Sequence, residues 1–250
     1  MGFEQPTGFG IWDSWGFVRR DSWRTQRDNV IRESRIPSPK SRLPALNAIV
    51  DVDAAARAGW RPIDLARAFL NGGAQFLQLR AKSIGGAEFL DTASSLAELA
   101  HAAGAVLIVN DRADIAWLAN ADGAHVGQDD LGAAAVRSLV GDGAIVGLST
   151  HTVEQIDRAV EQPVSYVAIG PVFGTATKAT GYDPIGLARV HEAGRRTGAR
   201  GFPLVAIGGI TLDNARSVID AGAHSIAVIS DLLSTGDPAG RIRAYLRTLA

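Results

Sequence analysis

Residues 204–230 read LVAIGGITLDNARSVIDAGAHSIAVIS. An apolar run, Leu204 to Ile207, breaks at Gly208-Gly209. An amphipathic stretch centred on Asp213 to Asp220 follows, and a second apolar run, Ser225 to Ile229, closes the segment. Strand, turn, helix and strand in that order make a βαβ unit, whose crossover helix forces the two strands to be parallel. The same alternation extends back to Leu46. It predicts six further strands at about Leu46 to Asp51, Phe76 to Leu79, Val106 to Val109, Gly123 to Val126, Ile145 to Leu148 and Tyr166 to Ile169. Helices fill the gaps, for example Asp64 to Leu70, Ala87 to Ala102 and Val153 to Val160, and Thr152 with Gln155 forms a capping-box pattern at the last of these. Eight βα repeats over roughly 200 residues predict an α/β chain folded as a single closed (β/α)8 TIM barrel rather than a doubly wound sheet. The first strand supports this choice, since it runs into Asp51-Val52-Asp53-Ala54 with no glycine-rich dinucleotide fingerprint.

The barrel is expected to span residues 45–250, with residues 1–44 as a poorly structured, disordered N-terminal extension. That leader carries three tryptophans, scattered arginines and Pro37, Pro39 and Pro44, with no sustained period of 2 or 3.6. It lacks the apolar core of a signal peptide, and no apolar run in the chain approaches the roughly 20 residues of a membrane span. A cytoplasmic protein is therefore expected. The absence of cysteine excludes disulfides, thiolate catalysis and Cys-ligated metals. A formal net charge of −1 and the lack of a basic stripe argue against nucleic acid. The expected partners are small molecules, and self-association into a homo-oligomer is left open.

Catalytic groups of such a barrel sit at the C-terminal strand ends. Here those ends carry Gln78-Leu79-Arg80-Ala81-Lys82, Asn110-Asp111, His125 to Asp130, Ser149-Thr150-His151, Gly170 to Lys178, Gly208-Gly209 and Ile229-Ser230. The 25 basic residues include only three lysines, and two of them, Lys82 and Lys178, are in this set. In a chain that otherwise uses arginine, a lysine at a strand end points to a compact charge facing anionic oxygen. Asp111 and Asp130 each begin a loop and could cap helices, but two carboxylates from adjacent strands can also hold Mg²⁺. Gly208-Gly209 and Ile229-Ser230 stand where barrels bind phosphate through backbone N–H groups. His125 fits a barrel-interior or supporting role as well as a catalytic one.

With these motifs in order, the chain from Leu46 onward resembles the thiamine-phosphate synthase (thiamine-phosphate diphosphorylase) family. The resemblance implies an Mg²⁺-dependent transferase that joins 4-amino-2-methyl-5-pyrimidinylmethyl diphosphate to 4-methyl-5-(2-phosphoethyl)thiazole. It implies that Gln78, Leu79, Arg80, Ala81, Lys82, Asn110, Ser149 and Lys178 hold the pyrimidine diphosphate, with Arg80, Lys82, Ser149 and Lys178 catalytic. It further implies that Asp111 and Asp130 bind the metal, and that Thr175, Ala176, Thr177, Gly209, Ile229 and Ser230 hold the thiazole phosphate. The chain departs from the family at Asn47, where an aromatic residue is usual, and in its leader. A related thiazole tautomerase, or a non-catalytic thiamine-phosphate-binding regulator, is the alternative.

Overall fold

The computed structural model describes residues 43–174 and 181–250. Eight strands form one closed, all-parallel barrel in sequence order: β1 Leu46–Asp51, β2 Phe76–Arg80, β3 Val106–Asn110, β4 Gly123–Val126, β5 Ile145–Thr150, β6 Tyr166–Ile169, β7 Leu204–Ile207 and β8 Ser225–Val228. The register closes through Ala48 opposite Leu77 on one side and Asn47 opposite Ala227 on the other. The helices are α1 Val52–Arg57, α2 Pro62–Asn71, α3 Gly86–Ala102, α4 Ala113–Leu118, α5 Ala133–Val140, α6 Val153–Ala159, α7 Gly186–Ala199, α8 Leu212–Asp220 and α9 Pro238–Leu249. Residues 1–42, to which the expected extension belongs, lie outside the described residues.

Strands buried on both faces need apolar residues at nearly every position, and these divide by parity. In β1, Leu46, Ala48 and Val50 join the layer between barrel and helices. The alternate residue Ile49 joins Phe76, Ile108, Tyr166 and Val205 inside the barrel. Phe76 meets Tyr166 edge to face at 6.4 Å, so aromatic packing fills the interior below the mouth. Nearer the C-terminal ends the inward positions become polar: Asp51, Gln78, Asn110, His125 and Ser149 are all buried. A barrel with an apolar floor and a polar mouth can admit a ligand at one end only.

Several strand ends differ by a residue or two from the sequence reading, for one reason. Arg80, Asn110, Ser149 and Thr150 belong to their strands, because a polar inward residue at the mouth continues the ladder while breaking the apolar pattern. At α6, Thr152 Oγ1 accepts from Gln155 N at 3.3 Å, but Gln155 Oε1 accepts from His151 N rather than closing the box on Thr152. The reciprocal capping box stands instead at α8, between Thr211 and Asn214. After β8 a 3-10 turn, Ser230–Leu233, is clamped by Asp231. That carboxylate accepts from Arg241 and from Tyr245 Oη on α9, and from Leu212 N at the start of α8.

Candidate active site

Neighbouring strands bring the polar ends together in pairs set by register. Asp51 and Arg80 are opposite one another on β1 and β2, and Arg80 Nη1 donates to Asp51 Oδ2 at 2.5 Å. The other oxygen of Asp51 accepts from Ala54 N and so caps α1. One buried carboxylate thus starts a helix and fixes a guanidinium at the barrel mouth. Nothing in the apolar pattern singled out Asp51, and only its place at a strand end hinted at it.

The next cluster joins three strand ends. Lys82 Nζ lies 2.5 Å from Asp111 Oδ2, and the Asp130 carboxyl adjoins Asp111 closely enough for each to feel the other's charge. Asp111 has φ 64°, a left-handed conformation that aspartate tolerates better than most residues, and its N–H donates to His125 O at 2.7 Å. Asp130 Oδ2 accepts from Gly127 N. Neither aspartate caps a helix: α4 is preceded by Arg112 and α5 by Gly132, without side-chain caps. Burial, and next the adjoining Asp111, raise the Asp130 carboxyl above the ordinary carboxylate range, against the opposing pull of Gly127 N–H and Lys82. Asp114 pairs with Arg112 on the surface, outside this group.

Among the described residues no group of three or more carboxylates and histidines converges into a metal cage. The two adjoining carboxylates of Asp111 and Asp130 are hard-oxygen donors that fit Mg²⁺, which commonly takes one or two carboxylates and completes its shell with water and phosphate oxygens.

Deeper in the mouth, His125 joins two strands. Its Nδ1 lies 2.8 Å from Tyr166 Oη and its Nε2 2.8 Å from Ser149 Oγ, with the imidazole stacked on the Tyr166 ring. The absence of a side chain at Gly147 makes this possible, because a Cβ there would collide with both the Tyr166 ring and His125 Nδ1. Gln128 Nε2 donates to Ser149 O at 2.6 Å, tying the loop after β4 to the end of β5. Gln78, Asn110, His125, Ser149 and Tyr166 line one interior cavity. Leu79 is buried in the outer layer, and Ala81 is only partly buried against it, so neither side chain points into the cavity.

A second cavity opens between β5, β6, β7 and β8, and shares Ser149, Ala168, Ile207, Ala227 and Ile229 with the first. Gly208, Gly209, Ile229 and Ser230 line it. Gly209 has φ 63°, and a Cβ there would lie 2.5 Å from Gly174 O, so the turn after β7 needs glycine for both conformation and space. His151 stacks on Tyr182 at 3.9 Å across the rim. Thr175, Ala176, Thr177 and Lys178 lie outside the described residues.

The two cavities, one lined by Arg80 and the other built on a glycine turn, define a barrel enzyme with small-molecule substrates. The family profile for thiamine monophosphate synthase matches residues 46–232. The chain is 44% identical over 182 residues to the thiamine-phosphate synthase of Roseiflexus castenholzii, covering 73% of this chain and 78% of that protein. It is 41% identical over 209 residues to that of Chlorobium luteolum, covering 84% and 93%. Among solved structures, thiamine phosphate pyrophosphorylase from Pyrococcus furiosus superposes with a TM-score of 0.72 at 27% identity, covering 82% of this chain and 94% of that one. A 3-hexulose-6-phosphate synthase shares the fold, with a TM-score of 0.58 at 17% identity over 82% of this chain and all of that one. The chain belongs to the thiamine monophosphate synthase family. No helix among the described residues is long and apolar enough to cross a membrane.

Proposed function

We propose that this protein is a thiamine-phosphate synthase that joins 4-amino-2-methyl-5-pyrimidinylmethyl diphosphate to 4-methyl-5-(2-phosphoethyl)thiazole. The products are thiamine phosphate and diphosphate. The observation that carries the reading is the set of Arg80, Lys82, Asp111 and Asp130 at the ends of β2, β3 and β4, on one side of a mouth whose opposite side is formed by the turns at Gly209 and Ser230. One anion with a leaving group and a second, simpler anion each find their own ground.

In this reading the bond between the pyrimidinylmethyl carbon and the bridging oxygen breaks with both electrons going to diphosphate. The thiazole nitrogen then supplies the pair that forms the new C–N bond. Such a dissociative reaction requires charge neutralisation on the leaving group and asks little of a general base. Arg80, oriented by Asp51, and Lys82, oriented by Asp111, hold diphosphate oxygens. Asn110 and Ser149 hold the same substrate from the strand ends beside them, and Gln78 lies within its pocket. Asp111 and Asp130 would hold Mg²⁺, which when bound supplies further positive charge to the diphosphate. Backbone N–H groups at Gly209 and Ser230, beside Ile229, take the thiazole phosphate. Thr175, Ala176, Thr177 and Lys178 take their roles from the family resemblance alone.

The purified chain, given both substrates and Mg²⁺, is expected to produce thiamine phosphate with matching release of diphosphate. Isomerisation of the thiazole without condensation would support the tautomerase reading instead. Binding of thiamine phosphate with no turnover would support the regulator reading.

A further inference from the structure

Asn47 sits on the inward face of β1, two residues before Ile49 and four before Asp51, and is 2% exposed. Its side chain lines the interior cavity together with Gln78, Asn110, His125, Ser149 and Tyr166. Its Oδ1 has no hydrogen-bond partner, and among the described residues only one other buried side-chain atom shares that condition, Arg196 Nε on α7, away from either cavity. A buried amide oxygen left without a donor loses its water and gains nothing in exchange, so folded proteins rarely keep one that has no task. Leucine would fill nearly the same volume at no such cost. Two of the donors in the cavity wall have other partners: Tyr166 Oη is engaged with His125 Nδ1, and His125 Nε2 with Ser149.

We infer that Asn47 is a specificity-determining residue whose Oδ1 accepts a hydrogen bond from the exocyclic amino group of the bound pyrimidine. The inference rests on the synthase reading for the identity of the ligand, and the chemistry of the two substrates then decides between them. The thiazole phosphate has a ring nitrogen that accepts, carbon-bound hydrogens and a phosphate, but no N–H. The aminopyrimidine has one amino group, and it is the only N–H donor that either substrate brings. An acceptor on that group also has an electronic effect. Drawing the N–H proton toward oxygen leaves more electron density to enter the ring, where it stabilises the cation forming at the methylene carbon. Asn47 therefore acts on the rate as well as on binding.

The test is Asn47→Leu in the full chain, with Asn47→Ala as a second variant, measured in three ways. Thermal melting is expected to be unchanged or raised for Asn47→Leu, since an unsatisfied buried oxygen is removed. kcat/KM for the pyrimidine diphosphate is expected to fall about tenfold to a hundredfold, with the KM for the thiazole phosphate within about twofold of wild type. Calorimetric binding of the unreactive pyrimidinylmethyl monophosphate, with the 4-amino group and with hydrogen in its place, is expected to show discrimination shrinking by about tenfold in both variants. Unchanged kcat/KM and unchanged discrimination would overturn the inference and leave a trapped water as the partner. A lower melting temperature with both substrates weakened alike would overturn it in favour of a structural role. Wild-type protein that binds and discriminates the monophosphates but forms no thiamine phosphate would sink the synthase reading, while the amino-group contact would still stand or fall on the binding comparison.

Discussion

Lys82 Nζ lies 2.5 Å from Asp111 Oδ2, although the two residues come from the ends of different strands and the lysine side chain is half exposed. An ion pair in such a setting contributes little to stability, because water already screens both partners. In the proposed function its value lies in position, since it keeps an ammonium next to the carboxylate pair at the strand ends. Lys82→Arg preserves the charge but replaces a compact ammonium on a four-carbon stem with a broad planar fork on a three-carbon one. A misplacement of about 1 Å can cost on the order of a hundredfold in rate, so kcat/KM for the pyrimidine diphosphate should fall by roughly that factor. Arg195→Lys on the exposed side of α7 is the control and should be silent. Wild-type values for Lys82→Arg would remove Lys82 from the proposed diphosphate site.

The carboxylates beside it make a second prediction. Asp111→Asn suits the left-handed φ of 64° at that position, since asparagine tolerates it as well as aspartate does, so the fold should survive. Asp130→Asn keeps an oxygen that can accept from Gly127 N. If the two aspartates hold Mg²⁺ as proposed, each change removes one negative hard-oxygen ligand, and the Mg²⁺ concentration needed for half-maximal turnover should rise by at least about tenfold. A magnesium titration of both variants checks this. A wild-type titration curve for either would remove that residue from the metal site.

The raised Asp130 carboxyl gives a pH dependence whose sign is fixed. Burial and Asp111 both penalise its charged form in the fold. In metal-free protein its contribution to stability is therefore complete below the ordinary carboxylate value of about 4, and is lost as pH rises through the raised folded value. Asp130→Asn cannot ionise. In the presence of a chelator, the variant's melting temperature relative to wild type should be more favourable at pH 7 than at pH 4, and Mg²⁺ at pH 7 should raise wild type more than the variant. A difference independent of pH would show that Asp130 is not held in a charge-penalising site.

The repeat that builds the barrel could be read from sequence because strands packed on both faces are apolar at almost every position and the helices between them are not. Lys82, Asp111 and Asp130 were legible for a related reason, being polar residues that interrupt that pattern where strands end. What sequence did not reveal depends on register. Asp51 looks like the last residue of a strand until β2 places Arg80 opposite it. Likewise Thr152 and Gln155 have the spacing of a capping box, and only the backbone path shows that Gln155 turns to His151 N instead. His125 could not be assigned between structure and chemistry, since its two partners lie 24 and 41 residues away.

Those partners supply the last prediction. The Tyr166 phenol is fully enclosed, and burial raises its pKa, so it keeps its proton throughout the working range and can donate to His125 Nδ1. With Nδ1 accepting, the neutral imidazole carries its proton on Nε2 and donates it to Ser149 Oγ. The serine hydroxyl proton is then left to point at a substrate oxygen. Tyr166→Phe removes the donor and lets the imidazole adopt the opposite tautomer, in which Nε2 draws the Ser149 proton back toward the barrel floor. kcat/KM for the pyrimidine diphosphate should fall about tenfold, the scale expected for a partner that orients a contacting group. Stability should fall by about 1 kcal/mol for the lost buried hydrogen bond. A purely structural tyrosine would produce the second effect alone, so the deciding measurement is a double-mutant cycle with Ser149→Ala. If Tyr166 acts through Ser149, the kinetic penalty of Tyr166→Phe should vanish in the Ser149→Ala background, and fully additive penalties would show that the chain from tyrosine through histidine to serine does not set the hydroxyl.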